Sequence, residues 1–153
     1  MQILIDTREQ DALTFNKDIE TERVKLNVGD YGCKIGNSLA PLFFERKSLG
    51  DLYGTLSGGY KRFKKEINRA SVDGVMLVLA VDVSLIRVMK GFKHSKRDPD
   101  SLVKQCFTLM IRHKVPCLFF KDSKDMAEYI TQTFLAIERE HNEQQTNQRR
   151  TPL

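Results

Sequence analysis

Phe43 to Asp51 reads FFERKSLGD. Two adjacent aromatics belong in a core, yet Glu45, Arg46 and Lys47 follow without a break and Asp51 comes four residues later. Side chains alternate along a strand, so Glu45 and Lys47 share a face with Phe43, and Arg46 takes the other. From Ser48 the period changes. Leu49, Leu52 and Leu56 fit a helix with Ser48 as its N-cap. A buried strand therefore delivers an acid and two bases to the point where the chain turns into a helix. Solvated ion pairs on a surface strand account for that pattern, and so does a site for a charged ligand.

Upstream, QILI (2–5) is a short apolar strand ending in the charged cluster Asp6-Thr7-Arg8-Glu9. In ETERVKLNVGDYG, Val24, Leu26 and Val28 alternate with Arg23, Lys25 and Asn27, the period of a half-buried strand. Gly29 starts a bend, YGCKIG is a hairpin partner, and Gly36 to Ser38 form a turn. The first part thus reads as an N-terminal strand and an antiparallel meander. Downstream, SGG (57–59) separates the first helix from YKRFKKEINRA, with Tyr60, Phe63 and Ile67 inward. GVMLVLAV (74–81) reads as a central strand buried on both faces. After a basic loop, Asp100 or Ser101 caps a helix with Leu102, Cys106, Leu109 and Met110 inward; VPCLFF (115–120) is a strand parallel to 74–81. A last amphipathic helix carries Met126, Ile130, Phe134 and Ile137. The sum is an α/β three-layer sandwich with a mixed central sheet. One domain spans 1–144, and 145–153 reads as a flexible C-terminal tail.

The 153 residues carry 25 Lys and Arg against 20 Asp and Glu, a net charge of +5, which is compatible with a polyanion partner. Three cysteines without a C-x-x-C pair argue against a disulfide framework or a zinc ribbon and for a reducing compartment. The N-terminus turns charged at Asp6, too soon for a signal peptide, and no apolar run is long enough to span a membrane. The expectation is a cytoplasmic protein of a bacterial or phage-infected cell, or a nuclear one if eukaryotic. The G-x-x-x-x-G-K-[ST] spacing is absent, so no nucleotide cofactor is expected. His94, His113 and His141 lack ligand spacing.

Asp30 follows an earlier strand of the meander, and a hairpin near Gly36 brings it towards Glu45. If the N-terminal strand is central, Asp6 adds a third acid. Clustered carboxylates repel unless a cation neutralises them, and oxygen ligands select Mg²⁺ or Mn²⁺. Lys47 would then orient a water or offset charge growing on a scissile phosphate. Arg8 and Arg46 would hold phosphate or brace the acids.

The stretches IDTRE, VGDY and FFERKSLGD together resemble the V/I-D-x-R-E … G-D-x(n)-E-R-K-x(3)-D pattern of the XPF-type nucleases, within the PD-(D/E)xK restriction-endonuclease-like superfamily. The matching positions are Asp6, Arg8, Glu9, Gly29, Asp30, Glu45, Arg46, Lys47 and Asp51. The resemblance implies a restriction-endonuclease-like fold and a metal-dependent DNA endonuclease. It implies that Asp30 and Glu45 bind the metal and that Lys47 is catalytic; Asp6, which shapes the metal site, is expected among both the catalytic residues and the metal ligands. It gives Arg8, Glu9, Arg46 and Asp51 supporting roles; Asp51 also reads as a partner of Ser48 in a helix cap. Relatives in eukaryotes and archaea carry a tandem helix-hairpin-helix module after the nuclease domain, whereas this chain is expected to be a stand-alone nuclease domain acting on branched, flapped or single-strand/double-strand junction DNA. The alternative is a catalytically inactive DNA-binding module.

Two basic elements are not needed by a core: the helix face Lys61, Arg62, Lys64, Lys65 and Arg69, and the loop Lys90, Lys93, Lys96 and Arg97. Both are expected to meet DNA phosphates. A homodimer through the last helix, with Tyr129 and Leu135 beside its core stripe, is a further expectation.

Overall fold

The structure, a computed structural model, describes residues 1–150. Among these, seven strands form one mixed sheet: β1 (Gln2–Asp6), β2 (Thr21–Val24), β3 (Tyr31–Ile35), β4 (Ser38–Leu39), β5 (Leu42–Lys47), β6 (Met76–Val81) and β7 (Cys117–Phe119). Five helices accompany them: α1 (Leu49–Thr55), α2 (Tyr60–Asp73), α3 (Leu85–Met89), α4 (Pro99–His113) and α5 (Ser123–Arg150). The sheet order is β2-β1-β3-β5-β6-β7, with β4 paired to β3. β3 runs antiparallel to β1, β4 and β5, while β5, β6 and β7 are parallel, as expected for the crossover strands.

Alternation along the strands divides the core between the two faces of the sheet. Leu4, Phe43, Leu77, Leu79 and Val81 pack with Leu52 and Leu56 of α1, Phe63 and Ile67 of α2, and Leu102, Cys106 and Leu109 of α4. Ile3, Ile5, Phe44, Val78 and Ala80 pack with Met126, Ile130 and Phe134 of α5. Each such large apolar side chain, fully buried, contributes about 1.5–3 kcal/mol against leaving it in water. Both halves of the core close on β5, so this strand is held from two sides before its charged end emerges. The result is the three-layer α/β architecture with helices on both faces.

Local features differ from the sequence reading. The segment expected as a meander strand is instead the outer strand β2, parallel to β1 from Ile3↔Thr21 to Asp6↔Val24. It stops at Val24 because the Leu26 N–H is taken by the buried Asp6 carboxylate (2.7 Å) rather than by a ladder partner. Leu26 and Val28 keep their buried alternation without strand pairing. The cap of α4 is Asp98, whose carboxylate accepts the Ser101 N–H at 2.8 Å, with Pro99 at the first helical position where its missing N–H is harmless. Within α4, Met110 is 40% exposed rather than inward.

The short helix α3, with Ser84 capping the Arg87 N–H, lies where the sequence showed no clear period. The expected tail is helical as far as the description extends: α5 continues unbroken to Arg150. Gln, Glu and Arg are good helix formers, and pairs four residues apart (Arg139 with Glu143, Gln145 with His141) reinforce the helix without a core face. Residues 151–153 of that expected tail lie outside the described residues. No helix among the described residues is long and apolar enough to cross a membrane.

Candidate active site

Gly29 positions the first acid. Its φ is +69°, and a Cβ there would stand 2.9 Å from the Phe44 carbonyl oxygen, so only glycine fits. The turn that results presents Asp30 to β5. The Asp30 N–H donates to the Phe44 carbonyl (2.7 Å), and Asp30 Oδ2 accepts the Arg46 N–H (2.9 Å). The Asp6 N–H in turn donates to the Asp30 carbonyl (2.8 Å). Three central strands thus converge on Asp30 by main-chain bonds, a more rigid support than a surface loop.

Glu45 follows Phe43 on the same face of β5, and Lys47 follows Glu45. Lys47 Nζ donates to Glu45 Oε1 at 2.5 Å, with side chains 17% and 9% exposed. Burial raises the Asp30 carboxyl to about 6, against the Arg46 N–H bond; Glu9, Glu66 and Lys47 add smaller charge effects. Burial raises Glu45 further, to about 8, and Asp30 repels it while Lys47 partly compensates. Lys47 is itself desolvated, yet attraction to Glu45 outweighs that and keeps the ammonium charged.

Asp30, Glu45 and Lys47 lie in a cleft of about 590 Å³ lined also by residues of α1 and α2, where β5 ends and β3 begins. Arg8, Arg62, Glu66 and Arg69 line it as well, and Gly50, Gly54 and Gly59 add stretches of bare backbone to its wall. Asp51 also lines it and accepts the Ser48 hydroxyl (2.7 Å) while its own N–H donates back to Ser48 Oγ (3.2 Å). The capping alternative for Asp51 is therefore what the geometry contains, and it leaves the carboxylate on the cleft wall.

Asp6 is placed differently from the expectation that it ligates with Asp30 and Glu45. It is fully buried and does not line the cleft. Its Oδ1 accepts the Arg8 N–H (2.8 Å) and Arg8 Nε (2.7 Å); its Oδ2 accepts Arg8 Nη2 (3.2 Å) and the Leu26 N–H (2.7 Å). Burial pushes its pKa up, but these bonds win and the carboxyl lies below its usual range. Both oxygens are committed, so Asp6 braces Arg8 rather than offering a ligand. Arg8 Nη2 also donates to the Leu26 carbonyl (3.1 Å), which fixes the guanidinium at the cleft wall.

Arg46 points to the other face of the sheet, as its alternation requires. Its guanidinium reaches the Asp11 carbonyl, Asp82 Oδ2 (3.1 Å) and Ser123 Oγ (3.2 Å). It ties the 7–20 loop and the start of α5 to β5 and does not enter the cleft. Glu9 lines a separate shallow hollow with Asp11, Arg46, Ser48, Asp51 and Asp82.

Of the basic helix face, the structure brings Arg62 and Arg69 into the cleft, while Lys61, Lys64 and Lys65 are exposed on α2 outside its lining. In the loop, Lys90, Lys93 and Arg97 border a different hollow beside α3, and Lys96 is exposed. Arg97 is not a free cation: it donates to the Leu56 carbonyl (3.1 Å), Ser101 Oγ (3.3 Å) and Gln105 Oε1 (2.8 Å), bracing the loop against α1 and α4. Tyr31 is fully buried and accepts the Leu13 N–H (2.9 Å), so it is a core residue with no face for a base.

Sequence reading missed Glu66. It lies in the basic run KRFKKEINR, four residues after Arg62 and three before Arg69, so helical spacing alone puts it on the same stripe. Its Oε1 accepts the Gly29 N–H at 2.9 Å.

The donor set of the cleft is oxygen only. Among the described residues no group of three or more Asp, Glu, His or Cys side chains is placed to hold a metal ion. Two adjacent carboxylates in an open, water-accessible cleft suit Mg²⁺ or Mn²⁺, which take one or two protein carboxylates and keep several waters. Their mutual repulsion, compensated locally by one lysine, fits a divalent ion.

Together the sheet order, the two covered faces and the cleft at the end of β5 define an α/β domain of restriction-endonuclease-like fold. The ERCC4 domain model matches residues 5–133, so the chain belongs to the ERCC4 domain family, the XPF-type nucleases. Among solved structures, XPF from Aeropyrum pernix is similar with a TM-score of 0.66 and 16% identity, over 97% of this chain and 69% of that one. XPF from Aeropyrum pernix in complex with DNA is similar with a TM-score of 0.66 and 17% identity, over 93% of this chain and 65% of that one. No curated protein matches. Membership of a family of nucleases supports a DNA nuclease or DNA-binding role.

Proposed function

We propose that the domain is a divalent-metal-dependent DNA endonuclease, with Asp30 and Glu45 holding Mg²⁺ or Mn²⁺ and Lys47 as the catalytic lysine that orients the attacking water or offsets charge growing on the scissile phosphate. The observation that carries this reading is the group of buried Glu45 with half-buried Asp30 and Lys47 in a cleft that Arg8, Arg62 and Arg69 also line. The matched family and the DNA complex of a similar fold support a nucleic-acid substrate.

A bound ion would polarise the phosphoryl oxygens and lower the pKa of its own water. The chain's residues do the rest. Asp30 and Glu45 present oxygens from neighbouring strands held by main-chain bonds. Lys47 Nζ, released from Glu45 when that carboxylate is otherwise neutralised, donates to the attacking water or to the oxygen on which charge grows. Arg8, braced by Asp6, and Arg62 and Arg69 on α2 hold the flanking phosphates. The glycines of the cleft wall let a sugar–phosphate strand approach the carboxylates closely.

Branched, flapped or single-strand/double-strand junction DNA is the proposed substrate class. The test is cleavage of end-labelled single-stranded, duplex, flap and junction DNA with Mg²⁺, with Mn²⁺ and with EDTA, beside the Asp30→Ala protein. Cleavage only with metal and only with Asp30 in place supports the enzyme. Binding without cleavage under all metal conditions indicates the inactive DNA-binding module instead.

A further inference from the structure

Helix α2 sends Arg62, Glu66 and Arg69 into the cleft from one face. Arginines suit a wall that faces phosphates, and an acid between them opposes it. Glu66 also repels Asp30 and Glu45, adding to the burial that raises both carboxyls. A carboxylate that works against both the substrate and its neighbours needs a reason to be there.

The reason lies in the turn at Gly29. Its left-handed backbone packs so closely on β5 that a Cβ would meet Phe44 O at 2.9 Å and Phe43 Cβ at 3.1 Å. Both main-chain groups of Asp30 in this turn are tied to the sheet, the N–H to the Phe44 carbonyl and the carbonyl to the Asp6 N–H. The Gly29 N–H faces α2 instead, and Glu66 Oε1 receives it at 2.9 Å. An amide left without an acceptor there would cost about 1–3 kcal/mol, enough to let a two-residue turn shift.

We infer that Glu66 is a positioning residue for Asp30, holding the Gly29 turn through an accepted hydrogen bond so that the Asp30 carboxylate stays beside Glu45. The inference rests on the metal-dependent reading above. Partners hydrogen-bonded directly to a metal ligand change metal affinity about 10–100-fold when lost; Glu66 acts one step further out, on the main chain of the residue before Asp30, so an effect at the low end of that range is expected.

The test compares two substitutions in the full chain. Glu66→Gln keeps an acceptor oxygen for Gly29 and removes the charge; Glu66→Ala removes both. Mn²⁺ binding without DNA is measured by calorimetry, and the melting temperature is recorded for each protein. Glu66→Ala is expected to weaken Mn²⁺ binding about tenfold or more, while Glu66→Gln stays within about threefold of the parent. Equal loss in both variants would overturn the inference, because charge rather than the bond would then matter. Parent-like binding by Glu66→Ala would overturn it too. Should the alanine protein unfold, Glu66→Leu keeps the apolar stem and the helix propensity, and the same expectation holds for it. Asp30→Ala serves as the reference: if it fails to bind Mn²⁺ and Glu66→Ala binds normally, the inference alone falls. If parent and Asp30→Ala bind alike, or the parent does not bind, the metal reading falls and takes the inference with it.

Discussion

Lys47 Nζ sits 2.5 Å from Glu45 Oε1, two residues along the same strand and on the same face. A buried carboxylate with a raised pKa is thus paired with a lysine that stays charged. The lysine supplies the positive charge that the pocket needs in the absence of a cation. On the proposed reading it is also the group that a bound cation would free. The pair is therefore read as a poised arrangement rather than as a stability device, since breaking buried pairs costs more than forming them contributes.

Removing Lys47 should cost activity more than metal binding. Lys47→Ala is expected to cut the cleavage rate at least ~10²-fold, the scale of losing one preorganised electrostatic element. Mn²⁺ affinity should hold or improve, because the ammonium no longer competes for Glu45. Asp30→Ala should lose both. Single-turnover cleavage beside calorimetric Mn²⁺ titration separates the two classes. A Lys47→Ala protein that cleaves at the parental rate would contradict the role given to it.

The raised carboxyls make stability and metal binding depend on pH in opposite directions. Asp30 near 6 and Glu45 near 8 hold protons in the folded state that the unfolded chain releases at lower pH. Their contribution is full below the ordinary carboxylate range and is lost as pH rises through about 6 to 8. Without metal, the melting temperature should fall across that window, and less so in Asp30→Asn. Mn²⁺ affinity should rise across the same window, because the ion displaces protons. Thermal melts in EDTA from pH 5 to 9, beside Mn²⁺ titrations in two buffers, measure both.

Asp6 is the acid whose structural place differs most from its expected one. Asp6→Asn replaces an acceptor of four hydrogen bonds by a group that presents N–H to N–H donors. Stability should drop by about 1–3 kcal/mol, the cost of buried donors left unpaired. Arg8 should loosen, so DNA affinity falls while Mn²⁺ affinity is retained. Loss of Mn²⁺ binding in this variant would restore Asp6 as a ligand.

The cleft lining separates Arg62 and Arg69 from the exposed lysines of the same helix, Lys61, Lys64 and Lys65. Arg62→Ala with Arg69→Ala should weaken DNA binding for all sequences and flatten the salt dependence by about one unit of slope for each lost phosphate contact. Lys64→Ala with Lys65→Ala, outside the cleft lining, should change it less. Arg97→Ala should act mainly on stability through its bonds to Leu56, Ser101 and Gln105. Fluorescence anisotropy over a salt series reads the first two, and a melting curve the third.

Much of this was legible because it is local. Alternation put Glu45 and Lys47 together and turned Arg46 away, and both follow from the pleat. The Val-rich run of β6 and the Met126–Phe134 stripe of α5 announced their burial. What was not legible depends on who takes which hydrogen bond. Nothing in the residues around Leu26 says that Asp6 claims its amide and ends β2. Nothing in KRFKKEINR says that its one acid reaches back to Gly29. The parallel pairing of β1 with β2 is set by the long return through 7–20, which carries no periodicity. The helical reach of α5 to Arg150 rests on propensity and i,i+4 pairs, where a polar composition without an apolar face gave no pattern to read.

The most direct measurement of the central claim is cleavage of a labelled flap substrate by the parent and by Asp30→Ala, Glu45→Ala and Lys47→Ala, each with Mn²⁺ and each with EDTA. The account predicts endonucleolytic product from the parent with Mn²⁺ alone, and at least ~10²-fold less from each variant, with folding intact by melting curve. Equal product in EDTA, or undiminished product from Asp30→Ala, would contradict it.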